Sequence, residues 1–228
     1  MNTVFFKNLG LIDFKDAWSI QESMLDSIIR DKKNKKKTKS YLFFCQHPHV
    51  YTLGKSGKKE NLLLSDDELK LKNADFYKIN RGGDITYHGP GQLVVYPVFD
   101  LDTFFTDIHK YLRFLEEIVF RVLENYNLDG LRVNGATGVW LKDQSSNLKK
   151  ICAMGVRASR WVTMHGLAFN VFVDLDYFKN IVPCGIVDCG VTSLDKETKQ
   201  DVSFSDVENL FKLSFEEVFN CKIVCLNG

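Results

Sequence analysis

Residues 81–97 read Arg-Gly-Gly-Asp-Ile-Thr-Tyr-His-Gly-Pro-Gly-Gln-Leu-Val-Val-Tyr-Pro, and no other stretch limits the fold of this chain so narrowly. Gly82-Gly83 permits positive φ or a close approach of backbone to a ligand, and Gly89-Pro90-Gly91 imposes a rigid turn. The apolar run from Leu93 follows at once, so a conformationally special loop feeds directly into a buried strand. Binding sites are often built this way, and Arg81, Tyr87 and His88 are then expected as polar groups on the rim. The alternative is a glycine-rich hairpin with a surface histidine.

Around this stretch the hydrophobic pattern alternates between helices and blocks of strands. Asp13 can cap a first helix with Phe14, Ala17, Trp18, Met24, Leu25, Ile28 and Ile29 at helical spacing and Gln21 as a break in it. That helix runs into Arg30 and the lysine-rich residues 32–39, read as a solvated helix end that can also steer an acidic partner. Strands are expected at Tyr41–Cys45, Val50–Leu53, Phe76–Ile79 and from Gln92 to Val98, with a short helix over Ser65–Leu71. Ile108, Tyr111, Leu112, Leu115, Ile118, Val119, Val122 and Tyr126 mark a long amphipathic helix. Strand-like runs follow at Leu131–Val133, Gly138–Leu141, Lys150–Val156, Trp161–His165 and Leu167–Val173, as in an antiparallel meander. A capping box at Ser205-Asp206-Val207-Glu208 opens a last helix to Phe219, before a strand at Lys222–Leu226. The pattern predicts a single α+β domain over residues 1–228, with a mixed or antiparallel sheet and packed helices, and not a Rossmann fold.

Composition excludes several functions. With a net charge of +1, 45% hydrophobic and 26% charged residues, nothing pulls the chain toward nucleic acid or an anionic membrane. The basic run lacks interleaved aromatics, so nucleic-acid binding is not expected. The start, Met1-Asn2-Thr3-Val4, resembles neither a signal nor a transit peptide, and the expected location is cytoplasmic. Cysteines 45, 152, 184, 189, 221 and 225 are read as reduced thiols rather than a disulfide framework. His47, His49, His88 and His165 show no metal-ligand spacing with them, so no metal is expected. Gly54-Lys55-Ser56-Gly57 imitates the end of a phosphate-binding loop, but His49 stands where that motif needs glycine.

Cys184, in Val182-Pro183-Cys184-Gly185-Ile186, has the loop setting that a nucleophile needs, and a thiol reacts as thiolate only beside a cation or hydrogen-bond donor. Lys150 is a candidate cation, since a lysine entering a buried strand is out of keeping with packing alone. The sequence does not show that the two meet. His165-Gly166-Leu167-Ala168-Phe169-Asn170 is read as two strands joined at a glycine, where His165 or the Gly166 backbone contacts a ligand or merely closes a turn.

Taken together in order, the stretch 81–93, Lys150-Ile151-Cys152-Ala153-Met154-Gly155, residues 165–170, and Pro183-Cys184-Gly185-Ile186 with Val191-Thr192-Ser193-Leu194 resemble the lipoyl(octanoyl) transferase family. Ile85 stands where that family usually has valine, and the resemblance spans residues 41–194. It implies the fold of the biotin and lipoate ligases, with no cofactor. It also implies transfer of an octanoyl group from octanoyl-acyl carrier protein, through a thioester on Cys184 activated by Lys150, to the acceptor lysine of lipoyl domains. Those domains belong to 2-oxoacid dehydrogenase E2 subunits and the glycine cleavage H protein. Arg81, Gly82, Gly83, Asp84, Ile85, Thr86, Tyr87, His88, Ala153, Met154, Gly155, Gly166, Leu167 and Ala168 are implied as the substrate pocket. Cys152 and Cys189 are extra thiols, read as bystanders. Two other functions are weighed against this one: an ATP-dependent lipoate or biotin ligase, and a non-catalytic module that docks acyl carrier protein through the lysine run.

Overall fold

A computed structural model describes residues 1–182 and 190–226 of the chain. The elements are β1 (Asn2–Leu11), α1 (Phe14–Lys33), β2 (Ser40–Gln46), β3 (Val50–Leu53), α2 (Asp66–Leu71), β4 (Asp75–Lys78), β5 (Ile85–His88), β6 (Gln92–Val98) and α3 (Ile108–Glu124). They continue with β7 (Gly138–Lys142), β8 (Leu148–Ser159), β9 (Val162–Asn170), β10 (Gly190–Val191), α4 (Leu194–Glu197), α5 (Phe204–Phe219) and β11 (Cys221–Cys225).

The large sheet runs β10-β8-β9-β6-β2-β1-β11, with β7 also on β8, and a small sheet runs β4-β3-β5. Strand pairs β1–β2, β1–β11 and β8–β10 are parallel and the other pairs of the large sheet antiparallel, so the sheet is mixed. Side chains alternate across it. Leu42, Phe44, Leu93, Val95 and Phe169 face α3 and α5, while Phe43, Cys45, Val94, Tyr96 and Ala168 face α1. Because both faces are covered, β2 and β6 read as nearly continuous apolar runs rather than as alternating ones.

Several expectations change, the first being that residues 85–88 of the glycine-rich stretch form a strand, β5, rather than loop. β1 was not foreseen: only Val4 and Phe6 of its ten residues are buried, and its place between β2 and β11 is set by backbone pairing. Residues 131–133 form no strand beyond a single bridge from Leu131 to Trp140. The two strands expected over Trp161–Val173 are a single one, β9 (Val162–Asn170), with His165 held inside it at φ +59. Gln21, the break in the apolar stripe of α1, serves that irregularity, because its Oε1 accepts the His165 N–H at 2.8 Å. Finally, Ser203 rather than Ser205 stands at the N-cap of α5, and the two hydroxyls bond each other at 2.8 Å instead of capping the helix. Among the described residues no helix is long and apolar enough to cross a membrane.

Candidate active site

The two sheets enclose a cavity of about 570 Å³. Its floor is the β8–β9 ladder, where Ala153 pairs with Ala168 and Gly155 with Gly166. These small side chains leave room above the sheet. Phe14, Ile79, Val94 and Tyr96 supply apolar wall, and Met154 and Leu167 complete the lining from the floor strands.

The glycine-rich stretch lies directly on this floor. Gly82 N donates to Val156 C=O at 2.9 Å, and a β-carbon on Gly155 would stand 2.7 Å from Gly82 O and 2.9 Å from Arg81 Cδ. Gly83 has φ +87, a conformation that favours glycine. The phosphate-loop look-alike packs against the same stretch: Gly54, Lys55 and Ser56 N–H groups donate to the carbonyls of Asp84, Arg81 and Gly83. Its role is backbone support, with Ser56 at the cavity and Lys55 in solvent.

Arg81, Tyr87 and His88 are buried, which corrects their expected place on the rim. Arg81 Nη2 donates to Thr52 O and Oγ1 at 2.7 and 2.9 Å, and Nη1 to Gly82 O at 3.1 Å. Burial lowers its pKa to about 10, opposed by Tyr96 and Asp84, so the guanidinium stays charged at neutral pH. Asp84 itself accepts from Asn61 Nδ2 at 2.8 Å. Burial likewise pushes His88 down to about 3, helped by His47, Arg81 and His165, and the ring is neutral. His165 is pushed to about 3 by the same cause.

Of the implied pocket residues, Arg81, Gly82, Gly83, Asp84, Ile85, Thr86, His88, Ala153, Met154, Gly155, Gly166, Leu167 and Ala168 line the cavity, and Tyr87 does not. Its ring stacks on Tyr177 at 4.9 Å and its hydroxyl meets His49 Nδ1 at 2.7 Å, on the far side of the small sheet. Alternation along β5 puts Thr86 and His88 on the cavity face and Tyr87 on the other, in the cluster it shares with Tyr51 and Leu53.

Lys150 lines the cavity at the edge of β8, with Nζ 4.7 Å from the centre of the buried Trp140 ring. Lys149 turns the other way, toward Asp143 and Glu197 at 3.9 and 3.7 Å. β10 pairs with this edge, Val191 against Lys150, and Thr192 N donates to Lys150 O at 3.0 Å. Cys184 and Cys189 lie outside the described residues. Ile181 before that segment and Gly190 and Val191 after it all line the cavity. Cys45, Cys152, Cys221 and Cys225 are free thiols, and burial raises the Cys152 pKa well above the ordinary range, which suits a packing residue. No group of three or more metal-ligating side chains occurs among the described residues. Trp140, Thr52, Gln92 and Asn170 were not singled out by the sequence; the last two lay unremarked inside the motifs.

The family model described as lipoyl protein ligase A/B catalytic domain matches residues 13–216. A protein of Christiangramia forsetii named octanoyltransferase is 55% identical over 224 residues, covering 95% of this chain and 96% of that one. One of Cytophaga hutchinsonii with the same name is 51% identical, covering 97% and 94%. Among solved structures, lipoate-protein ligase A bound with ATP superposes with a TM-score of 0.70 at 18% identity, covering 99% of this chain and 89% of that one. A bipartite lipoate protein ligase from Thermoplasma acidophilum, solved in a study of that ligase and its E2 lipoyl domain, gives 0.71 at 18% identity, covering 99% and 87%. These structures share the fold.

Proposed function

The chain belongs to the lipoyl protein ligase A/B catalytic domain family, and from that premise we propose that it is an octanoyltransferase of lipoate biosynthesis. It takes the octanoyl group from octanoyl-acyl carrier protein and passes it to the acceptor lysine of lipoyl domains. The reading rests on one observation. The cavity has an apolar wall and a floor of small residues, and Lys150, Ile181 and Gly190, the last two on either side of the Cys184 segment, line it.

An octanoyl chain has seven carbons beyond its carbonyl, and at about 0.8 kcal/mol per buried CH₂ their transfer from water is worth roughly 5–6 kcal/mol. That is enough to hold the acyl group without polar contacts along its length. The Cys184 thiolate then attacks the thioester carbonyl: a new S–C bond forms, the bond to the carrier sulfur breaks, and that sulfur leaves with a proton. The Lys150 ammonium favours the thiolate and supplies that proton. In the second half the acceptor amine attacks the enzyme thioester, the N–C bond forms, the S–C bond breaks, and the amine's proton returns to the site. His88, buried and neutral, serves as cavity wall and not as general acid.

The test is intact-mass analysis after incubation with octanoyl-acyl carrier protein, then with an apo lipoyl domain. The expected result is an octanoyl adduct on the native chain, absent from Cys184→Ala, and transfer to the lipoyl domain without ATP. An undiminished adduct on Cys184→Ala, or transfer that requires magnesium-ATP and free octanoate, overturns it.

A further inference from the structure

Gln92 and Asn170 take no part in the chemistry above, yet they are 1% and 3% exposed and stand beside the cavity. Their hydrogen bonds run in a single direction. Asn170 Nδ2 donates to Thr192 C=O at 2.9 Å, and Asn170 Oδ1 accepts from Gln92 Nε2 at 2.9 Å. Gln92 Nε2 also donates to Tyr87 C=O at 3.2 Å, which leaves Oε1 as acceptor, 2.8 Å from His88 Nδ1. The His88 proton is therefore assigned to Nδ1, and Nε2 faces the Thr52 hydroxyl at 3.5 Å. Thr52 Oγ1 in turn accepts from Arg81 Nη2 at 2.9 Å. Every donor points from Arg81 toward Thr192. Arginine has no acceptor, so the chain cannot run the other way, and flipping either amide alone sets like groups against each other.

The far end of this chain lies at the strand edge that carries Lys150. β10 has two residues, neither of them buried, and it pairs with β8 alone. So short a strand has little packing of its own to hold it. The residue that follows it, Thr192, is buried: it donates from N to Lys150 O at 3.0 Å, accepts from Asn170 at C=O, and donates from its hydroxyl to Glu197.

We propose that Gln92 and Asn170 are positioning residues, which tie the glycine-rich wall to Thr192 and so hold β10 in register beside Lys150. The consequence for catalysis rests on the reading of Cys184 and Lys150 given above, because the chain that enters β10 is the one that carries the thiol.

Asn170→Asp keeps shape and the acceptor toward Gln92, but its carboxylate cannot donate to Thr192 C=O. Three measurements separate the possibilities. Hydrogen exchange should show faster exchange over residues 190–192 in Asn170→Asp, with β8 and β9 unchanged and protection returning at low pH as the new carboxyl regains a proton to donate. The pH profile of Cys184 alkylation, followed by mass, should move to higher pH, and single-turnover formation of the octanoyl adduct should slow about tenfold or more. Wild-type exchange and alkylation profiles alone keep the proposal testable if Asn170→Asp does not fold: rapid exchange at the Thr192 amide in the native protein overturns it. If the native chain forms the Cys184 adduct but the variant's exchange, alkylation profile and adduct rate all match it, the positioning role is refuted while the function stands. If the native chain forms no adduct, the function falls, and the exchange result still decides whether the relay holds β10.

Discussion

Replacing Gly155 with alanine tests the claim that the glycine-rich stretch is seated on the floor of the cavity. The added methyl meets Gly82 O at 2.7 Å and Arg81 Cδ at 2.9 Å, both closer than a β-carbon normally tolerates. Neither neighbour gives way easily. The first is backbone, and the second belongs to a side chain anchored at its far end by two bonds to Thr52. Overpacking of this kind costs typically about 1–3 kcal/mol. Weakening the 2.9 Å bond from Gly82 N to Val156 O adds roughly 0.5–1.5 kcal/mol. A total of about 1.5–4.5 kcal/mol corresponds, for a chain of this size, to a midpoint lowered by roughly 3–18 °C. A wall displaced by an ångström also misplaces the acyl carbonyl, and activity should fall by on the order of a hundredfold. Thermal unfolding followed by circular dichroism, with octanoyl transfer measured on the same preparation, checks both. A variant within about 0.5 kcal/mol of the native protein and fully active would refute the packing argument.

Lys150→Ala should slow formation of the octanoyl adduct by about a hundredfold or more. Its cost in stability, by urea denaturation, should be on the order of 1–2 kcal/mol, because Lys150 is partly buried and its ammonium sits over the buried Trp140 ring. Tyr87→Phe should cost about 1 kcal/mol through loss of the His49 bond and leave acyl-chain preference unchanged, as competition between octanoyl and longer donors will show. Stability should fall on acidification from pH 6.5, because burial holds His47 near 4 and His88 and His165 near 3, below an unfolded value of 6.5. In that window the unfolded chain binds more protons, and each histidine removes about 1.4 kcal/mol per pH unit. Urea titrations at pH 7.5 and 5.5 measure the loss, and equal stability at the two values would show that these rings are not buried neutral.

How much of this was legible depended on whether the signal was local. α3 was read to within two residues because Tyr111, Leu115, Ile118, Val119 and Val122 repeat at helical spacing on one buried stripe. β9 was cut in two because Gly166 looks like punctuation. In the fold a glycine is needed there for another reason: a β-carbon would collide with the Val95 carbonyl on the neighbouring strand. That constraint joins residues about seventy positions apart and leaves no trace in a window. The rim assignment of Arg81 and His88 failed likewise, because polar residues near glycines read as exposed until Thr52 and Gln92 are seen to satisfy them. Lys150 was found by its local oddity, a charge entering an apolar strand. Asn170 carries no such signal, because an asparagine ending an apolar run has the ordinary look of a strand terminus.

The lysine run bears on how a partner reaches the cavity. Phe14, at the start of α1, lines the cavity, and Lys32 and Lys33 end the same helix, 20 residues long. At 1.5 Å per residue the run stands about 30 Å along that axis from Phe14, and about 17 Å from Gln21, whose side chain bonds the cavity residue His165. Lys32 is also engaged, paired with Asp100 and Asp102 at 2.7 Å each and bonded to Arg160 O, so it pins the end of α1 to the sheet. A Debye length of about 8 Å at physiological ionic strength screens the remaining exposed lysines from charges at the mouth of the cavity. An acidic carrier held on the run alone would therefore be placed well away from Lys150, and neutralising Lys35, Lys36 and Lys37 should leave the transfer rate unchanged at 0.15 M salt. A large fall in kcat/KM for those substitutions would mean that the carrier reaches the cavity while spanning the length of α1.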